Sequence, residues 1–258
     1  MNLIRIFIAL AAIALTGCAT RASNLADPFE PFNRGVYQVN DTLDKAVAKP
    51  VAQGYNKVMP ELGKTMVSNF FSNLNDVIVT ANDFLQFKFT QGFSDGMRVL
   101  VNSTIGVAGL IDVASMNLEK HNEDFGQTLG YWGMGSGPYL MLPILGPSSI
   151  RDGMGDLGDS QISPLGRMSH VRTRNQLYLT RAVNRRAQLL EGENVMDGAI
   201  LDRYSFIRDA YLQRRQSLVY DGNPPHDPLE DENLDDEPAT PAEPSPPSAT
   251  PSTPPAAH

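Results

Sequence analysis

Gly153-Met154-Gly155-Asp156-Leu157-Gly158 has the spacing of a dinucleotide-binding turn, where glycines let the backbone approach a pyrophosphate. That chemistry needs a strand before the turn. Here Ser148-Ser149-Ile150-Arg151-Asp152 comes first, outside any strand–helix–strand pattern, so a plain turn is expected. Ser136 lies among glycines, but Met134 and Pro138 occupy the positions two away, which removes the hydrolase elbow Gly-x-Ser-x-Gly. His121 sits in the polar run from Glu119 to Asp124 with no second histidine at metal-ligand spacing, and His170 is isolated. Both read as solvated loop histidines. Asp152, Asp156 and Asp159 lack the ordered oxygen spacing of a calcium loop and read as caps and turns. These residues support neither nucleophilic, metal-assisted nor phosphoryl chemistry. The chain reads as a non-enzyme with no cofactor.

One residue is placed for covalent chemistry. Cys18 is the only cysteine of 258 residues, which excludes an internal disulfide. It follows Leu15-Thr16-Gly17 at the end of the apolar run Ile6–Leu15, and Arg5 precedes that run. A short apolar run behind a cation is a signal-peptide core, too short for a bilayer that needs ~20 helical residues. Its end resembles a bacterial lipobox, in which the thiol takes a diacylglycerol and cleavage leaves the cysteine first. Residue 19 is Ala, not the Asp linked to inner-membrane retention in enteric bacteria. The expected destination is the periplasmic face of the outer membrane, with a lipid anchor contributing ~0.8 kcal/mol per buried CH₂.

Two further patterns concern surfaces. From Phe125 to Ile150 no Asp, Glu, Lys, Arg or His occurs, and the stretch holds six Gly and three Pro. That composition argues against a spanning helix. Two readings stay open. The stretch is a buried loop that satisfies its own backbone, or an apolar wall facing lipid with Tyr131, Trp132 and Tyr139 as interfacial rings. Charge is also divided. Residues 18–160 carry ten basic and fifteen acidic side chains, whereas residues 161–220 carry ten arginines and five acids. Arg174, Arg181 and Arg185 fall on one helical face. They form a solvated face with local ion pairs, or attract anionic headgroups or an acidic partner. Export argues against nucleic acid.

The elements that position these groups are mostly helical. Asp27-Pro28-Phe29-Glu30 reads as a capped helix start, followed by Phe32, Val36, Val39, Leu43 and Val47 at helical spacing. Lys49-Pro50 is expected to end that helix, and Pro50 and Pro60 to bracket a short one. Further helices are predicted over about 61–72, from a cap at Asn75-Asp76 through Leu85, and over 91–104. Ile105–Ile111 reads as a packed helix or a hairpin tip. The last third holds a helix from about Arg172 to Glu191, ended by Gly192, and another from about Asn194 to Val219. The tail from Asp221 has nine acids, no Lys or Arg, and eleven of nineteen prolines, so disorder is expected. Without it the net charge of −8 becomes +1. The segments are then a signal peptide 1–17, a lipidated linker 18–26, a helical domain 27–220 and a tail 221–258.

Taken together, these residues resemble the MlaA (VacJ) family of outer-membrane lipoproteins. The matching segments are Asp27–Arg34, Lys49–Ala52, Ser68–Phe70, Asn73-Leu74, Asn82–Gln86, Asn102–Ile105, Gly109–Ala114 and Phe125–Gly130. They continue through Tyr139–Pro143, Leu145-Gly146, Arg151-Asp152, Arg186–Leu190 and Arg208–Arg214. The resemblance implies a helical ring in one membrane leaflet, with a central channel that passes misplaced phospholipid toward the periplasm. It implies association with a trimeric porin and exchange with a soluble periplasmic lipid carrier (MlaC-like). On that view the uncharged stretch is a helix-poor conduit wall, with Tyr131, Trp132, Tyr139, Leu140 and Leu142 as lining candidates. Gln127, Thr128 and Ser136 would then meet headgroups. Arg174, Arg181 and Arg185 become candidates for carrier or headgroup contact. The alternative is a lipoprotein that scaffolds porins without moving lipid.

Overall fold

Glu30 opens helix α1 (Glu30–Leu43), with Pro31 in the first turn. A computed structural model describes residues 26–196 and 201–225, and those up to Pro224 belong to one compact unit. The signal segment, Cys18, residues 197–200 and the tail from 226 lie outside the described residues. Asp27 does not cap α1. Its carboxylate accepts from Asn33 Nδ2 at 2.8 Å and from the Tyr204 hydroxyl at 2.5 Å. Nor does Pro50 end the helical run. A five-residue π segment, Asp44–Ala48, leads into α2 (Lys49–Val58), and the Lys49 N–H reaches the Asp44 carbonyl. In a regular helix the proline ring collides with the carbonyl four residues back. The wider turn relieves that clash and leaves Pro50 in the first turn of α2.

Helix α3 (Glu61–Leu85) is continuous where two helices were expected. Asp76 is not a cap, because it is wholly buried and accepts from Lys120 Nζ at 2.7 Å. The short turn through Phe87, at φ 62°, reverses the chain into α4 (Phe89–Thr104), which packs antiparallel on α3. Residues 105–111 form neither a helix nor a hairpin. Val107, Ala108 and Gly109 take positive φ, and a Cβ on Gly109 would lie 2.7 Å from Asn73 Nδ2.

The uncharged stretch is ordered structure. Helix α5 (Phe125–Tyr131) is capped by Asp124, which accepts from the Gln127 N–H at 2.8 Å. An antiparallel hairpin follows, β1 (Tyr139–Leu142) and β2 (Gly146–Ser149), pairing Tyr139 with Ser149 and Leu142 with Gly146. Strand alternation over four residues is too short to stand out in sequence. Helix α6 (Ile150–Ile162) then absorbs the Gly153/Gly155/Gly158 pattern that was expected to be a turn. A Cβ on Gly155 would fall 2.4 Å from the Gly126 nitrogen, so the glycines let α5 and α6 touch backbone to backbone. Helix α7 (Val171–Met196) runs past Gly192, and α8 (Arg203–Val219) starts at the Asp202 cap rather than near Asn194.

Tyr139, Met141 and Tyr204 form the apolar core, with Val36, Tyr37, Ile207 and Tyr211 against them. Much of the remaining interior is polar: Asp76, Asn82, Asp83, Asp95 and Arg98 are at most 1% exposed.

Candidate lipid-facing surface and charged seams

Helix α4 is inverted relative to a helix of a water-soluble domain. It buries Gly92, Asp95, Arg98 and Asn102 and exposes Phe89, Phe93, Met97 and Leu100. A surface helix in water shows the opposite partition. Helix α1 repeats the pattern, burying Asn33 while Phe32, Val39 and Leu43 face outward, and Val47 of the π segment continues that face. The apolar stripe read from the sequence is thus an outward face, with only Val36 turned toward the core. Contiguous exposed apolar surface marks contact with lipid or protein. Among the described residues no helix is long and apolar enough to cross a membrane.

The buried charges are held together. Arg98 donates to both Asp112 oxygens at 3.1 and 3.0 Å and to the Leu118 carbonyl at 2.8 Å. Asn102 donates to Asp112 at 2.8 Å and accepts from the Ala114 N–H at 2.9 Å. His121 is no solvated loop residue, for its Nδ1 lies 2.7 Å from Asp95. Asp83 is different. Neither of its buried oxygens has a hydrogen-bond partner. Burial, then Asp95 and Glu123, push its carboxyl up to about 7.

The hairpin is gripped by two asparagines two helical turns apart on α1. Asn33 donates to the Tyr139 carbonyl at 3.0 Å and accepts from the Met141 N–H at 2.9 Å. Asn40 donates to the Leu142 carbonyl at 2.9 Å and accepts from the Ile144 N–H at 2.8 Å. Their carboxamides satisfy the open edge of β1. Sequence reading missed this pair, although polar residues seven apart beside an apolar stripe were a usable signal. The hairpin separates the five conduit candidates. Tyr139 is fully buried against the Tyr204 and Tyr211 rings, so it supports the hairpin from within and lines no surface. Leu140 and Leu142 lie half-buried on the other face of β1, and Ile144 and Leu145 project from the tip. Tyr131 and Trp132 are exposed at the end of α5, where Trp132 donates to the Leu85 carbonyl at 3.2 Å. Gln127 and Thr128 do not face outward. Thr128 donates to Asn82 at 2.8 Å in the interior.

Asp152 and Asp159, expected as caps or turns, are tertiary contacts, and the α5 cap Asp124 joins them. Arg215 of α8 donates to both Asp124 oxygens at 2.5 and 2.9 Å and to Asp152 at 2.8 Å. Tyr211 donates to the other Asp152 oxygen at 2.5 Å. Burial pushes Asp124 and Asp152 up, yet both sit below the usual carboxylate range, held there by Arg215 with Gln127 and Tyr211. Asp159 accepts from the Phe125 N–H and from Asn82, and burial lifts it to about 6.

Among the described residues, the three arginines of the α7 face have no such partners. Arg174 donates to the Met168 carbonyl at 3.5 Å, and Arg185 is exposed. Arg181 is partly withdrawn from solvent and meets only Asn75 Oδ1, at 3.4 Å. Burial and the neighbouring Arg185 both lower its pKa. Arg181 and Arg185 are therefore close, while Arg174 is engaged elsewhere.

The chain is 34% identical to the intermembrane phospholipid transport system lipoprotein MlaA of Escherichia coli over 225 residues, covering 83% of this chain and 88% of that protein. It is 30% identical to the Haemophilus influenzae protein of the same name, covering 83% and 89%. A solved chain, from work on the structural basis for maintenance of bacterial outer membrane lipid asymmetry, superposes with a TM-score of 0.67 at 33% identity. It is matched over 98% of its length and 75% of this chain. The model of the MlaA lipoprotein family matches residues 25–218, nearly the whole described body, and the chain belongs to that family.

Proposed function

We propose that this chain is the outer-membrane lipoprotein of an intermembrane phospholipid transport system, which takes misplaced phospholipid from the outer leaflet and passes it toward the periplasm. The inverted partition of α4 carries the reading. A helix that hides Asp95, Arg98 and Asn102 and shows Phe89, Phe93, Met97 and Leu100 suits an apolar solvent outside and a polar interior. The relatives' names supply the transported class. With no spanning helix among the described residues, the body sits in one leaflet as a helical ring, and a diacylglyceryl Cys18 tethers it to the periplasmic side of the outer membrane. A trimeric porin and a soluble lipid carrier are the proposed partners. The chain works without catalysis or cofactor.

Within this reading the lipid path runs past Tyr131, Trp132, Leu140 and Leu142, with Tyr139 as the buried support of the hairpin. Arg174, Arg181 and Arg185 face the headgroup or the carrier. The deciding experiment places Leu140→Asp or Leu142→Asp in cells and measures phospholipid in the outer leaflet. Accumulation at normal protein level is expected. Unchanged lipid asymmetry would remove the hairpin from the path. A second measurement concerns the anchor: Cys18→Ala should release the protein to the soluble periplasm, and a membrane-bound variant would show that the body holds itself there.

A further inference from the structure

Arg181 stands apart from four other withdrawn arginines. Arg98, Arg186, Arg208 and Arg215 each have a carboxylate within 3.0 Å: Asp112 for Arg98, Asp44 for Arg186, Asp209 for Arg208 and Asp124 for Arg215. Arg181 has the Asn75 carboxamide at 3.4 Å and, among the described residues, no carboxylate. Its charged neighbour is a second cation, Arg185. The seam between α7 and α3 beyond Asn75 carries amides and a hydroxyl, and its ion pair, Lys64 with Glu61, is closed on itself at 2.6 Å. Asn184 donates to Ser68 at 2.9 Å, and Gln188 donates to the same hydroxyl at 2.6 Å. Asp76, next to Asn75 in sequence, is engaged by Lys120 and Arg98.

Removing a guanidinium from water without a counter-charge is unfavourable, and a second cation beside it adds repulsion. Such a pair is completed by an anion. The fork geometry of guanidinium matches an oxyanion with two or more free oxygens, and two forks side by side match a tetrahedral phosphate better than a single carboxylate. We infer that Arg181 and Arg185, with Asn75 orienting Arg181, form a phosphate-binding site on the α3–α7 seam. Resting on the transport reading above, its ligand is the phosphodiester of a phospholipid headgroup. Free inorganic phosphate has the same chemistry, so the test separates the two sources. Arg174 is left out because its guanidinium is turned to the Met168 carbonyl.

The test uses the full-length lipidated protein, purified in detergent from membranes containing phosphatidylethanolamine and phosphatidylglycerol. Co-purified phospholipid is counted by mass spectrometry for the parent, for R181Q/R185Q, and for Leu140→Asp. The double variant is expected to retain at least fivefold less phospholipid with an unchanged Tm, because neither arginine contributes an ion pair among the described residues. A titration with inorganic phosphate, read as a Tm shift, is the second arm. Loss of lipid in the double variant with no phosphate-induced shift in the parent assigns the headgroup. A phosphate-induced shift in the parent that the double variant lacks, with lipid retention equal, keeps the phosphate site and overturns the headgroup as its source. Equal retention with no parent-specific shift overturns the site. If R181Q/R185Q also weakens crosslinking to the periplasmic carrier in that last case, the arginines serve an acidic protein surface instead. Lipid lost only by Leu140→Asp, with no parent-specific phosphate shift, leaves transport standing and removes this site. A parent that carries no phospholipid at all counts against the transport reading, and the phosphate titration then decides the site alone.

Discussion

Arg215 and Arg181 are both guanidiniums drawn out of water on the two long C-terminal helices. Arg215 meets two carboxylates from two other helices, Asp124 before α5 and Asp152 in α6, at 2.5 to 2.9 Å. Arg181 meets one neutral carboxamide at 3.4 Å. The first arrangement is closed at the ends of its fork: Nη1 and Nη2 both reach carboxylates, and three helices are tied at one point. The second is open. A buried charge with its partner built into the fold serves the fold, because losing either member strands the other. A charge whose partner is missing contributes nothing of that kind and stays available to something that arrives.

The sharpest way to break this comparison is to remove the closed arginine. Arg215→Leu strands Asp124 and Asp152, and the expected loss is about 3–5 kcal/mol in chemical denaturation. Because Arg215 holds both carboxyls below the usual range, their contribution is present above the unfolded pKa of about 4 and disappears as pH falls through the folded values. The parent should therefore lose stability on acidification more steeply than the variant. A variant within 1 kcal/mol of the parent at pH 7 would show that the node is ornamental.

Separating the two carboxylates is the next test. Gly155→Ala places a Cβ 2.4 Å from the Gly126 nitrogen and 2.6 Å from its Cα, and backbone atoms cannot rotate away. Overpacking at such a contact costs about 1–3 kcal/mol. The same change at Gly153, whose Cβ would meet nothing nearer than the Ser148 hydroxyl at 3.8 Å, should be neutral or slightly stabilising.

Asp83 offers the opposite sign. Its folded pKa, about 7, lies above the usual carboxylate value, so the folded state keeps a proton that the unfolded state has lost. That contribution is complete below about pH 4 and fades as pH rises toward 7. Asp83→Asn should match the parent at pH 4 and exceed its stability by about 1–2 kcal/mol at pH 8. Urea titrations across that range check it, and a variant less stable at pH 8 would mean that an ionised Asp83 has a partner.

The helices were legible because helical periodicity survives whichever way a face turns. Phe32, Val39 and Leu43 sit where their spacing put them; their direction was not legible, since water and lipid select opposite faces from one pattern. The polar face of α4 has the same period, but a search for apolar repeats passes over Asp95, Arg98 and Asn102. Asn75-Asp76 looked like a cap because the competing partner, Lys120, lies 44 residues away. The Arg215 node was invisible for the same reason, its acids being 91 and 63 residues distant. Pro50 misled because a π segment, which has no sequence signature, removed the clash that normally stops a helix. Of the site, the arginine face was readable from spacing 7 and 4. The division between Arg174 and the Arg181–Arg185 pair required knowing what faces α7.

The smallest expected effect tests the comparison most directly. Arg181→Gln removes a cation that has no carboxylate among the described residues and that burial and Arg185 already disfavour. Glutamine drops the charge and keeps an amide donor on a shorter side chain. Stability should stay within about 0.5 kcal/mol of the parent, or rise, as the repulsion from Arg185 is relieved. Arg186→Gln, one residue beyond Arg185 but paired to Asp44 at 2.6 Å, should cost clearly more. If the two substitutions cost the same, proximity to a carboxylate would not distinguish the arginines of α7, and the open seam would be one more structural contact. If only Arg186→Gln destabilises, adjacent positions on one helix divide between holding the fold and waiting for an anion.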